Sequence, residues 1–280
     1  MRLSRDKLYG QIAFPPSSVI ASWVFVARRK VENITVKISA VQLQPATGNI
    51  ESNIAKHLAL IDAAVQQGAD LVFFPELSLT GYEPTLAQAL VIDKADARLG
   101  VFQQRSDEHH LFIGVSLPLS VELGVQIGMI WFTPDRPRRS YAKQQLHADE
   151  LPFFVAGEEQ LILEIPSEKI APAICYESLQ PGHAKQAAEL GASVYLASVA
   201  KPAGGMQKGV LHYPKIAEQH NMCVIMADSV GPCDNFVSVG QSAAWNRKGA
   251  LLAQMDSQSE GFLLVDTVDE SAVVCKLRGV

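Results

Sequence analysis

The chain has 280 residues, 48% of them hydrophobic and 19% charged, with a formal net charge of −5. That length and balance describe a folded protein able to bury a substantial core, and the acidic balance argues against a nucleic-acid surface. Cys175, Cys223, Cys233 and Cys275 form no C-x-x-C pair and show no zinc-ligand spacing, which points away from a disulfide scaffold or a metal ribbon and toward a reducing, cytoplasmic setting.

Residues 1–35 differ from the rest: scattered basic residues, the breaker cluster "FPPSS" and one apolar patch, "VIASWVFVA". The patch is too short for a bilayer, which takes ~20 apolar residues. It is followed by Arg28, Arg29 and Lys30 rather than by the small residues of a cleavage site. These residues read as an extension of uncertain role ahead of a domain spanning 36–280.

From Val36 the pattern is regular. "VKISAVQLQ" predicts a strand, and "NIESNIAKHLALIDAAVQQG" predicts a helix with Ile54, Leu58, Ile61 and Val65 at helical spacing, Asn49 capping its start and Gly68 ending it. "DLVFFPE" is a continuous apolar run, as expected of a strand covered on both faces, and it delivers Glu76 at its carboxyl end. Strand, helix, strand implies a parallel crossover. Strands are then expected at 111–119 and 128–133, with a short one entering "YAK".

After "KIAPAIC" the pattern predicts a helix over 182–190 closed by Gly191, a strand at "ASVYLAS", a helix over 211–220 and a strand at "MCVIMAD". "SAAWNRKGALLAQM" reads as a hairpin around "NRKG", and "GFLLVD" as an added edge strand. Strand-helix alternation followed by hairpins gives an α/β domain with a mixed sheet and helices on its outer faces. A (β/α)8 barrel would need helices that the strand-rich stretch 111–143 does not supply. "AGGMQKG" at 203–209 lacks the spacing of a phosphate loop and a strand directly before it, so no organic cofactor is implied, and no metal is required.

Three side chains follow apolar strands: Glu76, Lys143 and Cys175. Beyond the carboxyl ends of strands is where α/β proteins place their sites. Singly, each has an ordinary reading as a solvated carboxylate, a surface lysine or a buried thiol. Together they supply what a cysteine nucleophile needs: a base for a thiol with a reference pKa near ~8.5, and a cation for the oxygen that becomes negative.

"FFPELSLTGYEP", "YAKQQLHADE" and "AICYESLQP" resemble the three signature segments of the nitrilase superfamily of carbon-nitrogen hydrolases, amidase-like branch, over about residues 36–267. The resemblance implies a four-layer α-β-β-α sandwich with two mixed sheets. It implies Glu76 as general base, Lys143 as oxyanion stabiliser and Cys175 as nucleophile, with the backbone N–H of Tyr176 as second oxyanion donor. Glu150 takes the place of a glutamate that in the family lies near the lysine and positions substrate. His147, Asp149 and Glu150 could suggest a metal, but a loop cluster without a partnering His or Cys motif reads as a solvated turn. Glu177 reads as structural, while His212 and Tyr213 could line a pocket or cap a helix.

The expected activity is hydrolysis of a small amide or carbamoyl amine through a cysteine thioester. The alternatives are a nitrile hydrolase, a soluble N-acyltransferase on the same triad, or a catalytically silent binding protein. The expected partner is a small-molecule amide, with neither nucleic acid nor membrane involved, and the resemblance implies a homodimer.

Overall fold

The computed structural model describes residues 35–277. The extension read over residues 1–35 therefore lies, but for Thr35, outside the described residues. The chain first lays down β1 (Lys37–Gln42), β2 (Leu71–Phe73), β3 (Phe112–Val121), β4 (Gly124–Phe132) and β5 (Arg139–Ala142). A second sheet is built from β6 (Leu163–Ile165), β7 (Glu168–Ile174), β8 (Val194–Val199) and β9 (Cys223–Asp228). A ribbon of β10 (Val230–Cys233) and β11 (Phe236–Val239) precedes β12 (Ala243–Trp245) and β13 (Leu251–Gln254), after which β14 (Gly261–Asp266) and β15 (Ser271–Lys276) return to the first sheet.

The sheets have seven and six strands, in the orders β15-β14-β1-β2-β3-β4-β5 and β13-β12-β9-β8-β7-β6. Both are mixed. β1, β2 and β3 run parallel, as do β7, β8 and β9, while the hairpin strands around them are antiparallel. The helices are α1 (Ile50–Gln66), α2 (Gly100–His109), α3 (Pro181–Glu189) and α4 (Ala203–His220).

Three apolar layers explain the stacking. Ile38, Phe73, Trp131, Ile170, Leu196 and Ile225 fill the space between the sheets. Leu60, Ile61 and Phe102 seal α1 and α2 onto the first sheet, and Ala184, Met206, Tyr213 and Ile216 seal α3 and α4 onto the second. The result is the expected four-layer sandwich, each sheet covered by helices on one face and by its partner sheet on the other. Among the described residues no helix is long and apolar enough to cross a membrane.

Several expectations are corrected. α1 begins at its predicted cap, with Asn49 Oδ1 accepting from Ser52 N at 3.1 Å, but its fully buried face is Ile50, Asn53, His57, Leu60, Ile61 and Ala64. Ile54, Leu58 and Val65 are only half-buried. The periodicity was offset because two polar residues occupy the inner face. Asn53 Oδ1 accepts from Ala46 N at 2.7 Å, and its Nδ2 donates to Ala46 O at 2.8 Å and Leu79 O at 3.0 Å.

α4 starts at Ala203, eight residues before the predicted 211, because its glycines obscure the helical pattern. Gly209 is needed there: a Cβ would lie 2.9 Å from the Tyr213 ring. β14 is not an edge strand, since it lies between β1 and β15 with Phe262, Leu263, Leu264 and Val265 all buried.

Candidate active site

Glu76 stands three residues beyond the end of β2. The chain reverses at Leu77, whose φ of 50° is left-handed, and Leu77 N donates to Ser116 Oγ at 2.9 Å, tying the turn to β3. Lys143 directly follows β5, and its backbone N–H donates to Ile127 O at 2.9 Å. Glu76 and Lys143 thus come from the first sheet and are 0% and 1% exposed.

Lys143 Nζ donates to Glu76 Oε1 at 2.7 Å and to Glu150 Oε1 at 2.5 Å. Glu150 is saturated, for its Oε1 also accepts from Tyr82 OH at 3.0 Å and its Oε2 from His147 N at 2.7 Å. Glu76 Oε2, by contrast, is buried without a hydrogen-bond partner. An ammonium has three N–H donors, so Lys143 keeps one beyond its two carboxylates.

Cys175 comes from the second sheet, where β7 gives way to a 3-10 turn over Cys175–Leu179. Its φ of 46° is left-handed, a conformation a residue with a Cβ adopts only where its surroundings impose it. The constraints are visible. Ser178 Oγ donates to Cys175 O at 2.5 Å and shares a 2.8 Å hydrogen bond with Tyr213 OH. Fully buried Glu177 accepts from Ile174 N at 2.7 Å and Tyr141 OH at 2.6 Å on one oxygen, and from Gln144 N at 2.6 Å on the other. One carboxylate therefore joins the residue before Cys175 to the residue after Lys143. The structural reading of Glu177 takes this form.

The electrostatics follow from burial. Burial raises the Glu76 carboxyl above its ordinary range, opposed by Lys143 and reinforced by Glu150, with the neighbouring Cys175 thiol also lowering it. Burial alone would lower Lys143, but Glu76, Cys175 and Glu150 outweigh it and hold the ammonium well above its usual range. Burial, then the Glu76 charge, pushes the Cys175 thiol up to about 12 against the pull of Lys201 and Lys143. The resting sulfur is a thiol, and forming the thiolate requires a base beside it.

Cys175, Lys143, Glu150, Tyr82, Lys201 and Phe236 are among the residues lining a cavity of about 750 Å³. Tyr176 lies at its rim, 37% exposed, its ring edge-on to His147 at 5.2 Å. The 147–150 cluster does not converge on one point: His147 Nδ1 and exposed Asp149 pair at 2.5 Å while Glu150 turns inward to Lys143. His212 lines the cavity, and Tyr213 is buried on Ser178.

Sequence reasoning missed Lys201, which is 2% exposed with Nζ 3.9 Å from Cys175 Sγ. It follows β8 as Glu76 follows β2 and Cys175 follows β7, so the strand-end rule applied once more would have found it. Tyr82 carried no such signal, as it reaches Glu150 from a loop.

Residues 37–274 match the model of a family described as carbon-nitrogen hydrolase. The chain is 27% identical over 240 residues to the glutamine-dependent NAD(+) synthetase of Acinetobacter baylyi, and 26% identical over 239 residues to that of Aquifex aeolicus. These matches cover 80% and 82% of this chain but 42% of each relative, so the chain spans less than half the length of the curated relatives it matches. Among solved structures, the NitN amidase from Nesterenkonia sp. AN1 matches with a TM-score of 0.76 at 23% identity, over 82% of this chain and 92% of that one. Variants of that amidase carry the acetamide moiety of fluoroacetamide on the active-site cysteine, or hold butyramide in complex. At that identity the likeness establishes the nitrilase-like fold.

Proposed function

This chain belongs to the carbon-nitrogen hydrolase family, and from that premise we propose that it hydrolyses the carbon–nitrogen bond of a small amide through a thioester on Cys175. The observation that carries the reading is the division of labour between two buried carboxylates on one ammonium. Glu150 has both oxygens occupied, whereas Glu76 keeps Oε2 unpartnered beside the thiol. A saturated carboxylate holds position; an unsaturated one can take a proton.

In the proposed cycle Glu76 accepts the Cys175 proton and the thiolate attacks the amide carbon. The carbonyl oxygen becomes negative between the remaining Lys143 N–H and the Tyr176 backbone N–H, which at the start of the 3-10 turn has no acceptor within that turn. Glu76 then gives its proton to the departing nitrogen, ammonia leaves, and the acyl group remains on sulfur. Water replaces ammonia, Glu76 takes one of its protons, and hydroxide attack on the thioester releases a carboxylic acid and restores the thiol. Each proton taken by Glu76 is returned within the same half-reaction.

The names of the relatives support an amide over other carbon–nitrogen substrates, since one group is glutamine-dependent and the other structure binds butyramide. The test is ammonia release from a panel of short amides, carbamoyl amines and nitriles by the wild-type protein and Cys175→Ala. The expected result is release from amides by the wild type alone. Release by Cys175→Ala at the same rate, or from nitriles only, contradicts the proposal.

A further inference from the structure

Lys201 is a buried ammonium for which the cycle above has no task. It follows β8, and its backbone N–H is held by Asp228 Oδ1 at 3.0 Å and Ser238 Oγ at 2.9 Å, so the position of the residue is fixed. Its side chain lines the cavity. Lys143 has two carboxylates, but Lys201 Nζ has none within ion-pair distance among the described residues, its one hydrogen-bond contact being Cys175 Sγ at 3.9 Å.

Asp228 sits behind it and is a poor substitute. Its Oδ1 is committed to the Lys201 N–H and the Ser238 hydroxyl, its Oδ2 is buried without a partner and makes no ion pair with Nζ, and burial, opposed by Lys201, raises its carboxyl well above the ordinary range. A buried cation without an anion is strongly unfavourable unless something that binds there supplies the charge.

The same wall of the cavity is cationic beyond Lys201. Lys208, His212 and Lys215 all line it from α4, spaced so that they share one helical face. Neither Lys208 nor Lys215 is in an ion pair among the described residues, and His212 Nε2 is buried without a partner. The acids of the cavity are spent elsewhere, Glu150 on Lys143 and Asp149 on His147.

We propose that the amide substrate carries a carboxylate on its acyl side and that Lys201 binds it. The inference rests on the amidase reading and narrows its substrate class. Distance limits the chain length: with the attacked carbon about 3–3.5 Å from sulfur in a near-attack complex, an ammonium 3.9 Å from Sγ is within reach only of a carboxylate a few atoms from that carbon. A short dicarboxylic acid monoamide fits. The lysines of α4 attract it toward the cavity, and Lys201 makes the contact.

The test compares succinamate with butyramide, an uncharged amide of the same chain length. A charge-assisted hydrogen bond corresponds to about tenfold or more, so wild-type kcat/KM is expected to be at least about tenfold higher for succinamate. Lys201→Met brings that ratio close to one, with the loss concentrated in KM for succinamate. Lys208→Ala, an exposed change, lowers the ratio by a smaller factor.

A measurement needing no variant stands beside it: succinate is expected to protect wild-type Cys175 from iodoacetamide, and n-butanol at equal concentration is not. Equal loss toward both amides in Lys201→Met assigns the lysine to the thiol and overturns the proposal, as does absence of protection by succinate. Turnover of butyramide without preference for succinamate sinks the carboxylate alone and leaves the amidase reading standing. Release of ammonia from neither amide ends both.

Discussion

Glu76 offers one oxygen to Lys143 and leaves the other free, and that asymmetry generates predictions at the scale of single residues. As a base Glu76 must be ionised, so kcat/KM rises with pH through its proton affinity. Burial has raised that affinity, so the acid limb should lie above the ~4.3 of an ordinary glutamate. Glu150 contributes to the raising, so Glu150→Gln should move the limb to lower pH while reducing the rate. A pH profile of the two proteins checks the sign; a limb that moves upward contradicts the assignment. Removing one oxyanion donor costs about 3 kcal/mol of barrier, so Lys143→Ala should lose at least ~100-fold in kcat. The left-handed Cys175 adds a stability signature. Glycine tolerates that φ without the penalty of about 1–2 kcal/mol that alanine incurs, so Cys175→Gly should resist urea better than Cys175→Ala, the reverse of the usual order.

At the scale of elements, the catalytic geometry depends on how strand ends are joined. Gly157 N donates to Lys143 O at 2.8 Å, and a Cβ on Gly157 would lie 2.4 Å from Ala142 O. Gly157→Ala must displace the end of β5, carrying Lys143 away from its carboxylates. The expected outcome is a loss of kcat well beyond the loss of thermal stability, read from kinetics and melting on one preparation. This scale also shows what the sequence makes legible. Glu76 and Cys175 could be read because each follows an apolar run that forms a buried strand, Lys143 only through the segment "YAK", since the short strand before it is half exposed, and Asn49 because a capping side chain has a local signature. The inner face of α1 could not, since Asn53 and His57 are buried for hydrogen bonds to loops distant in sequence, which hydrophobic spacing does not register. The first two turns of α4 were hidden by Gly204, Gly205 and Gly209, of which Gly209 is required by packing against Tyr213, and the Glu177 clamp by partners that become neighbours only when the two sheets close on each other.

The whole molecule brings two sheets together so that one supplies Glu76 and Lys143 and the other supplies Cys175. Ser198 Oγ donating to Phe74 O at 2.8 Å links them directly beside the site. The packing also buries His57, stacked on Phe74 at 4.0 Å between ring centroids, with Nδ1 on Asn53 O at 2.7 Å and Nε2 on Ser78 Oγ at 3.0 Å. Burial lowers His57 to about 3. The unfolded chain therefore binds a proton at this position, near pH 6.5, before the folded one does. Its contribution is complete above that pH and is lost as pH falls toward 3, at roughly 1.4 kcal/mol per pH unit. Urea midpoints should fall between pH 6.5 and 4.5, and His57→Gln should flatten that slope. The central claim is tested most directly by quenching wild-type protein during turnover of butyramide and locating the acyl group by peptide mass spectrometry. The account predicts a butyryl thioester on Cys175 that disappears on chase with water. Ammonia released with the acyl group on another cysteine, or on none when quenched at the shortest times, would contradict it.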